Sequence, residues 1–139
     1  MSEASAWATL RKSIAEYTQD IQRFEDVLSR GIPDTNFCYK GKEIWLEGKY
    51  VKALPKRNTT PLKVGLRPEQ EAWLSRRSKS GGSCFVWVRI NCPGSSINGW
   101  YLSQDFAALR EGFPLSEMTF HMQYFKTAGE LTSRLIELA

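Results

Sequence analysis

The chain reads as an α/β fold, a central mixed β-sheet flanked by helices, and three features point there. Residues 35–50 form two runs of alternating apolar and polar residues around Lys40-Gly41, as an antiparallel hairpin does. Residues 68–80 have apolar groups at helical spacing, opened by Pro68 and closed by Gly81-Gly82. Residues 83–90, Ser-Cys-Phe-Val-Trp-Val-Arg-Ile, are strand formers that stay apolar on both faces up to Arg89, which suits a covered central strand. A strand, a helix and a second strand in that order make a right-handed βαβ crossover with parallel strands. The sheet is therefore mixed. At 139 residues the chain is long enough for a sizeable core, and residues 1–139 are expected to form a single domain.

In chain order, residues 4 to about 19 are expected to be helical, with Trp7, Leu10, Ile14 and Tyr17 as the apolar stripe. Residues 21–25 fit either the end of that helix or a strand. Strand Thr35–Tyr39 and its returning partner Lys42–Tyr50 follow. Residues 51–65 hold Pro55, Asn58, Thr59, Thr60, Pro61 and Gly65 and read as a loop. Its length, with Lys56, Arg57 and Lys63, marks it as a candidate binding arm. Pro68 sits well in a first helical turn, where its missing N–H is no loss. After strand 83–90, Pro93-Gly94-Ser95-Ser96 makes a turn, residues 99–102 a short strand and residues 105–110 a short helix. A capping box, Thr127 with Glu130, opens a last helix whose stripe is Leu131, Leu135 and Leu138.

Composition narrows the function. An apolar content of 42%, with five Trp and seven Phe, is that of a globular protein. No run of about 18 apolar residues occurs, so no membrane span is expected. Met-Ser-Glu-Ala-Ser has neither the basic nor the apolar region of a secretory signal. Cys38, Cys84 and Cys92 are odd in number, widely spaced and without zinc-site spacing, and read as reduced thiols of a cytoplasmic protein; a Cys84–Cys92 disulfide is a minor alternative. The single histidine, His121, is expected to be a partly buried structural residue rather than a general base.

The chemistry-bearing residues lie on the hairpin. With a two-residue turn at Lys40-Gly41, Tyr39 pairs with Lys42, and Asp34 falls opposite Glu47. Side-chain alternation then places Lys49 on the same face as Glu47, and Phe37, Tyr39, Ile44, Leu46 and Tyr50 on the other. Two carboxylates on one face repel and ask for a cation. A hard divalent metal such as Mg²⁺ takes oxygen ligands of this kind. A lysine beside it steadies negative charge or orients a water.

Gly31-Ile32-Pro33-Asp34, Leu46-Glu47-Gly48-Lys49 and Leu66-Arg67-Pro68-Glu69-Gln70-Glu71-Ala72-Trp73-Leu74, in that order, resemble the PD-(D/E)xK nuclease superfamily. The nearest resemblance is to the virus-type replication-repair nuclease (VRR-NUC) domain in its small stand-alone, phage-borne form, over roughly residues 20 to 103. The PD and ExK elements are generic, and the helix with Pro68, Gln70 and Trp73 is the more specific part. The resemblance implies a restriction-endonuclease-like domain in which Asp34, Glu47 and the Gly48 carbonyl bind Mg²⁺ or Mn²⁺. It also implies that Lys49 handles the attacking water and that Gln70 supports Lys49. The family's upstream glutamate corresponds to Glu25 or Glu16, with Glu25 preferred because Phe24 is expected to point inward. Cleavage would leave a 5′-phosphate and a 3′-hydroxyl. Small members of this kind act on flaps or junctions, some as homodimers, in phage or bacterial DNA repair and recombination.

Charge distribution fits a polyanion. Residues 40–79 carry eleven Lys/Arg against four Glu, a surplus of +7, while the whole chain is +4. Lys52, Lys56, Arg57, Lys63, Arg67, Arg76, Arg77 and Lys79 carry most of that surplus, which suits phosphate contacts and makes DNA the expected partner. The expected activity is thus metal-dependent cleavage of branched, flap or four-way DNA. A nicking or site-specific endonuclease of homing type, a non-catalytic nucleic-acid binder, and an interaction module resting on Trp7, Trp45 and Trp100 are the alternatives.

Overall fold

The computed structural model describes residues 1–24 and 30–139. Among them one six-stranded sheet runs in sequence order: β1 (Ile21–Arg23), β2 (Thr35–Tyr39), β3 (Lys42–Val51), β4 (Ser83–Ile90), β5 (Gly99–Ser103) and β6 (Gln123–Phe125). Every neighbouring pair is antiparallel except β3 and β4, which are parallel with α2 (Pro68–Lys79) in the connection between them. The expected α/β layout, a mixed central sheet with flanking helices, is present.

Helices cover both faces. On one, α1 (Glu3–Ile14) and α5 (Ala128–Leu138) set Trp7, Leu10, Leu131 and Leu135 against Phe37, Ile44, Leu46 and Phe85. On the other, α2 and α3 (Phe106–Glu111) set Leu74, Phe106 and Leu109 against Val86, Val88 and Tyr101. A 3₁₀ turn (Leu115–Glu117) and α4 (Met118–His121) lead into β6. β4 is buried from Cys84 to Ile90, as its two-sided apolar sequence requires.

The hairpin register is the expected one. Lys40 (φ 48°) and Gly41 (φ 79°) are both left-handed, the signature of a two-residue type I′ turn. Tyr39 pairs with Lys42 and Thr35 with Leu46, so the next position brings Asp34 level with Glu47.

Several expectations need correction. α1 stops at Ile14, so Tyr17 leaves the helical stripe; it is 38% exposed and meets Tyr39 edge-on. The chain turns there because the Thr18 hydroxyl donates to the Cys38 carbonyl, tying this segment to β2. Residues 21–23 resolve as a strand. The 51–65 loop is not a free arm along its length. Leu62, Val64 and Leu66 are buried, and Leu62 exchanges backbone hydrogen bonds with Phe113 (2.7 and 3.2 Å). Only residues 52–60 hold an exposed basic stretch. The three cysteines are free; Cys84 and Cys92 lie at opposite ends of β4, about 26 Å apart at the usual rise per residue, too far to bridge. The short β6 and the turns before it had no sequence expectation. Among the described residues no helix is long and apolar enough to cross a membrane.

Candidate active site

On β3, Trp45, Glu47, Lys49 and Val51 face α2. A buried glutamate and a half-buried lysine in a strand flanked by apolar residues are costly, so their partners matter. Glu47 is 5% exposed. Its Oε1 accepts from the Asp34 backbone N–H (3.3 Å), and its Oε2 lies 3.6 Å from Lys49 Nζ. Asp34 Oδ1 accepts from the Thr35 hydroxyl (3.1 Å). Lys49 Nζ donates to Gln70 Oε1 (3.0 Å), which also accepts the Arg67 backbone N–H (3.0 Å). Gln70 thus closes the first turn of α2, where a free N–H needs a partner, while fixing the lysine.

Burial acts on both carboxylates. Burial first, and then the Asp34 charge, push Glu47 up to about 7; Lys49 offsets part of this. Asp34 is also raised, by burial, against the opposing pull of the Thr35 hydroxyl, the Arg23 charge, the Gly48 N–H and Lys49. Among the described residues, Lys49 and the Arg23 charge offset the desolvation of the two carboxylates only in part.

Two glycines make the geometry possible. Gly48 pairs with Trp87 across β3–β4, and a Cβ at Gly48 would run into the Trp87 indole. Gly31 (φ 80°) lies against the Glu69 carbonyl, where any side chain would clash with the first turn of α2. This close approach sets the Pro33-Asp34 segment beside the helix that carries Gln70.

The expected residues Asp34, Glu47, Gly48, Lys49 and Gln70 therefore come together. Glu25 lies outside the described residues. Glu16 is exposed, one residue past the cap of α1, whose buried side packs on the other face of the sheet. Among the described residues, no group of three His, Cys, Asp or Glu side chains is placed to hold a metal. Phe24 does not point inward as expected: it is 39% exposed and stacks on Trp45. Its backbone N–H bonds the Asp34 carbonyl (2.7 Å), which leaves its ring at the site's rim.

The donor set still fits a hard divalent ion. Two carboxylates, both raised by burial, are oxygen ligands of the kind such ions prefer, and the Gly48 N–H bonds Asp34.

The eight basic residues are all exposed but do not form one patch. Arg67 is the N-cap of α2, next to Gln70, and pairs with Glu69 (3.0 Å). Arg76, Arg77 and Lys79 lie at the far end of that helix, about 9–14 Å along its axis from Gln70. Lys63 sits beside Gly112, and Lys52, Lys56 and Arg57 follow the end of β3. His121 is partly buried, as expected; its Nδ1 is 2.7 Å from Asp105 Oδ2 and its ring packs on Phe113.

Sequence reasoning missed Thr35, Arg23, the close approach of Gly31 to α2 and the Trp87 contact that makes Gly48 obligatory. Thr35 had a signal, since a β-branched hydroxyl residue directly after an aspartate in a strand suits a buried hydrogen bond. Gly31 and Trp87 had none, because each acts across elements distant in sequence.

No protein-family model and no curated protein matches the chain. Among solved structures, the chain is similar to Hjc, a Holliday junction resolvase from the hyperthermophilic archaeon Archaeoglobus fulgidus. The sequence identity is 15% and the TM-score 0.49, over 91% of this chain and 98% of that one.

Proposed function

We propose that this chain is a Mg²⁺- or Mn²⁺-dependent DNA endonuclease acting on branched, flap or four-way DNA. The observation that carries the reading is the half-buried Asp34 set against the buried Glu47, with Lys49 beside Glu47 and held by Gln70. Such a cluster costs folding free energy.

Asp34, Glu47 and the Gly48 carbonyl would hold the metal, which when bound neutralises phosphate charge and acidifies a water. Lys49 presents its ammonium at the edge of the carboxylate pair and stabilises negative charge developing on the phosphate. Gln70 keeps that ammonium from collapsing fully onto Glu47, because its amide oxygen holds Nζ at 3.0 Å while Glu47 stays at 3.6 Å. Arg67, at the mouth of the same helix turn, and the basic 52–60 stretch are the proposed phosphate contacts, with Lys63, Arg76, Arg77 and Lys79 further out. Action on a four-way junction calls for two cuts and so for two copies of the chain.

The test is cleavage of labelled linear duplex, single strand, 5′ flap and four-way junction with Mg²⁺, Mn²⁺ or EDTA, beside Glu47→Ala. Metal-dependent cutting that vanishes in the variant supports the nuclease. Salt-sensitive binding with no cutting on any substrate supports the non-catalytic binder instead.

A further inference from the structure

Beside the candidate site, on the same face of the sheet, lies an aromatic cluster that the cleavage chemistry does not use. Phe24 stacks on Trp45 (centroids 6.1 Å apart, planes at 23°), and Trp45 meets Trp73 of α2 edge-on (5.1 Å, 63°). The Arg77 guanidinium lies over both indoles, 5.6 and 5.5 Å from their centroids. Two clefts share Arg77, Gly81 and Gly82; one, of about 380 Å³, is lined by Trp45, and the other, of about 560 Å³, by Trp73 and Arg76. Among the described residues, Trp45 Nε1 is buried without a hydrogen-bond partner.

The cluster is joined to the carboxylates by backbone. Phe24 donates its N–H to the Asp34 carbonyl, and Trp45 precedes Glu47 by two positions on one strand, about 7 Å at the usual rise. That distance is a nucleotide or two along a DNA strand.

Aromatic rings and a guanidinium plane, flanked by positive charge, are the chemistry that stacks on nucleobases. Bases inside a duplex have both faces covered by their neighbours, so only an unpaired base can reach such a surface. We infer that Phe24, Trp45, Trp73 and Arg77 form a platform that stacks one unpaired nucleotide of the DNA strand next to the scissile phosphate. Arg76, in the adjoining cleft, and Lys79, near by in the same last helical turn, supply the charge complementarity for its phosphate. The inference rests on the proposed nuclease reading and narrows it: among branched substrates the enzyme favours flaps, whose unpaired nucleotide at the branch it captures, over fully paired four-way junctions.

The test is metal-free binding, in EDTA, of a 5′-flap DNA carrying 2-aminopurine at the first or second unpaired position, beside a blunt duplex of equal length. Stacking quenches the probe. The expected result is quenching by the wild-type protein, lost with Trp73→Leu together with roughly a tenfold loss of flap affinity. Affinity for the blunt duplex should change by less than about twofold, since no stacked base is reached there. Phe24→Leu, at a half-exposed position, gives the same readout should Trp73→Leu fail to fold. Unquenched probe with tight binding, or equal losses on flap and duplex, would overturn the platform while leaving the nuclease standing. Quenching without cleavage on any substrate would keep the platform and sink the nuclease.

Discussion

The two faces of the sheet are built on opposite terms. Against α1 and α5, β2 and β3 present Phe37, Ile44 and Leu46, all fully buried and apolar. Against α2, the same β3 strand presents Trp45, Glu47, Lys49 and Val51, with Glu47 almost as buried as the core residues and raised to about 7. One strand with a period of two thus puts apolar side chains on one side and a buried charged pair on the other. The first face gains free energy from burial at roughly 25 cal/mol per Å². The second gives some back, because two carboxylates lose hydration there and Lys49, beside Glu47, offsets only part of the cost. That cost is confined to one face, beside a helix whose Gln70 holds the lysine.

That contrast can be broken from either side. The largest expected effect is on activity: Asp34→Ala or Glu47→Ala should lower metal-dependent cleavage by at least about a thousandfold, as removal of the charge-stabilising centre does. DNA affinity in EDTA should hold or rise, since a repulsive carboxylate is gone. Next is the apolar face. Phe37→Ala should cost about 3–5 kcal/mol in denaturant unfolding, because Phe37 is fully buried and leaves a cavity.

Gly48→Ala tests the strand between the faces. Its methyl group meets the Trp87 indole, so the variant should lose about 1–3 kcal/mol and shift the Glu47–Lys49 geometry. Gln70→Ala should lower the cleavage rate about 10- to 100-fold, as loss of a supporting hydrogen bond at a metal site does.

The pH dependence of the metal-free protein gives the subtlest test. Glu47 is about 7 folded against 4.5 unfolded, so between those values the folded state binds more protons. Unfolding free energy therefore falls as pH rises through that window and levels off above it. Melting curves without metal should show Tm about 5–10 °C lower at pH 8 than near pH 5 from this group, and Glu47→Gln should flatten the slope.

How much of this could be read from the chain differs by element. The hairpin register was legible because Lys40-Gly41 is a strong two-residue turn and both strands alternate. From it followed the Asp34–Glu47 juxtaposition, and Pro68 with Gly81-Gly82 bounded α2. Residues 62–66 also carried a signal, since Leu62, Val64 and Leu66 alternate with Lys63 and Gly65, yet the prolines around them read as loop. The end of α1 was hidden because Tyr17 keeps helical spacing although a hydrogen bond from Thr18 pulls the chain into β2. Phe24 was misread because an aromatic beside a charged residue implies a core position, whereas a partner 21 residues later, Trp45, draws it to the rim. β6 is three residues long and is set by its pairing with β5, which no local pattern announces. The placement of Asp34, Glu47 and Lys49 on the hairpin and the Gln70 contact were thus readable, and the contacts of Gly31, Trp87 and Phe24, made through long-range packing, were not.

The central claim is that Asp34 and Glu47 form a divalent-cation site. The most direct measurement is calorimetric titration of Mn²⁺ into the metal-free protein at pH 8, above the Glu47 value of about 7, beside Glu47→Gln. Binding of Mn²⁺ by the wild type, accompanied by a rise in Tm, and loss of both in Glu47→Gln is the outcome this account requires. Equal Mn²⁺ binding by the two proteins, or none by the wild type, would contradict it.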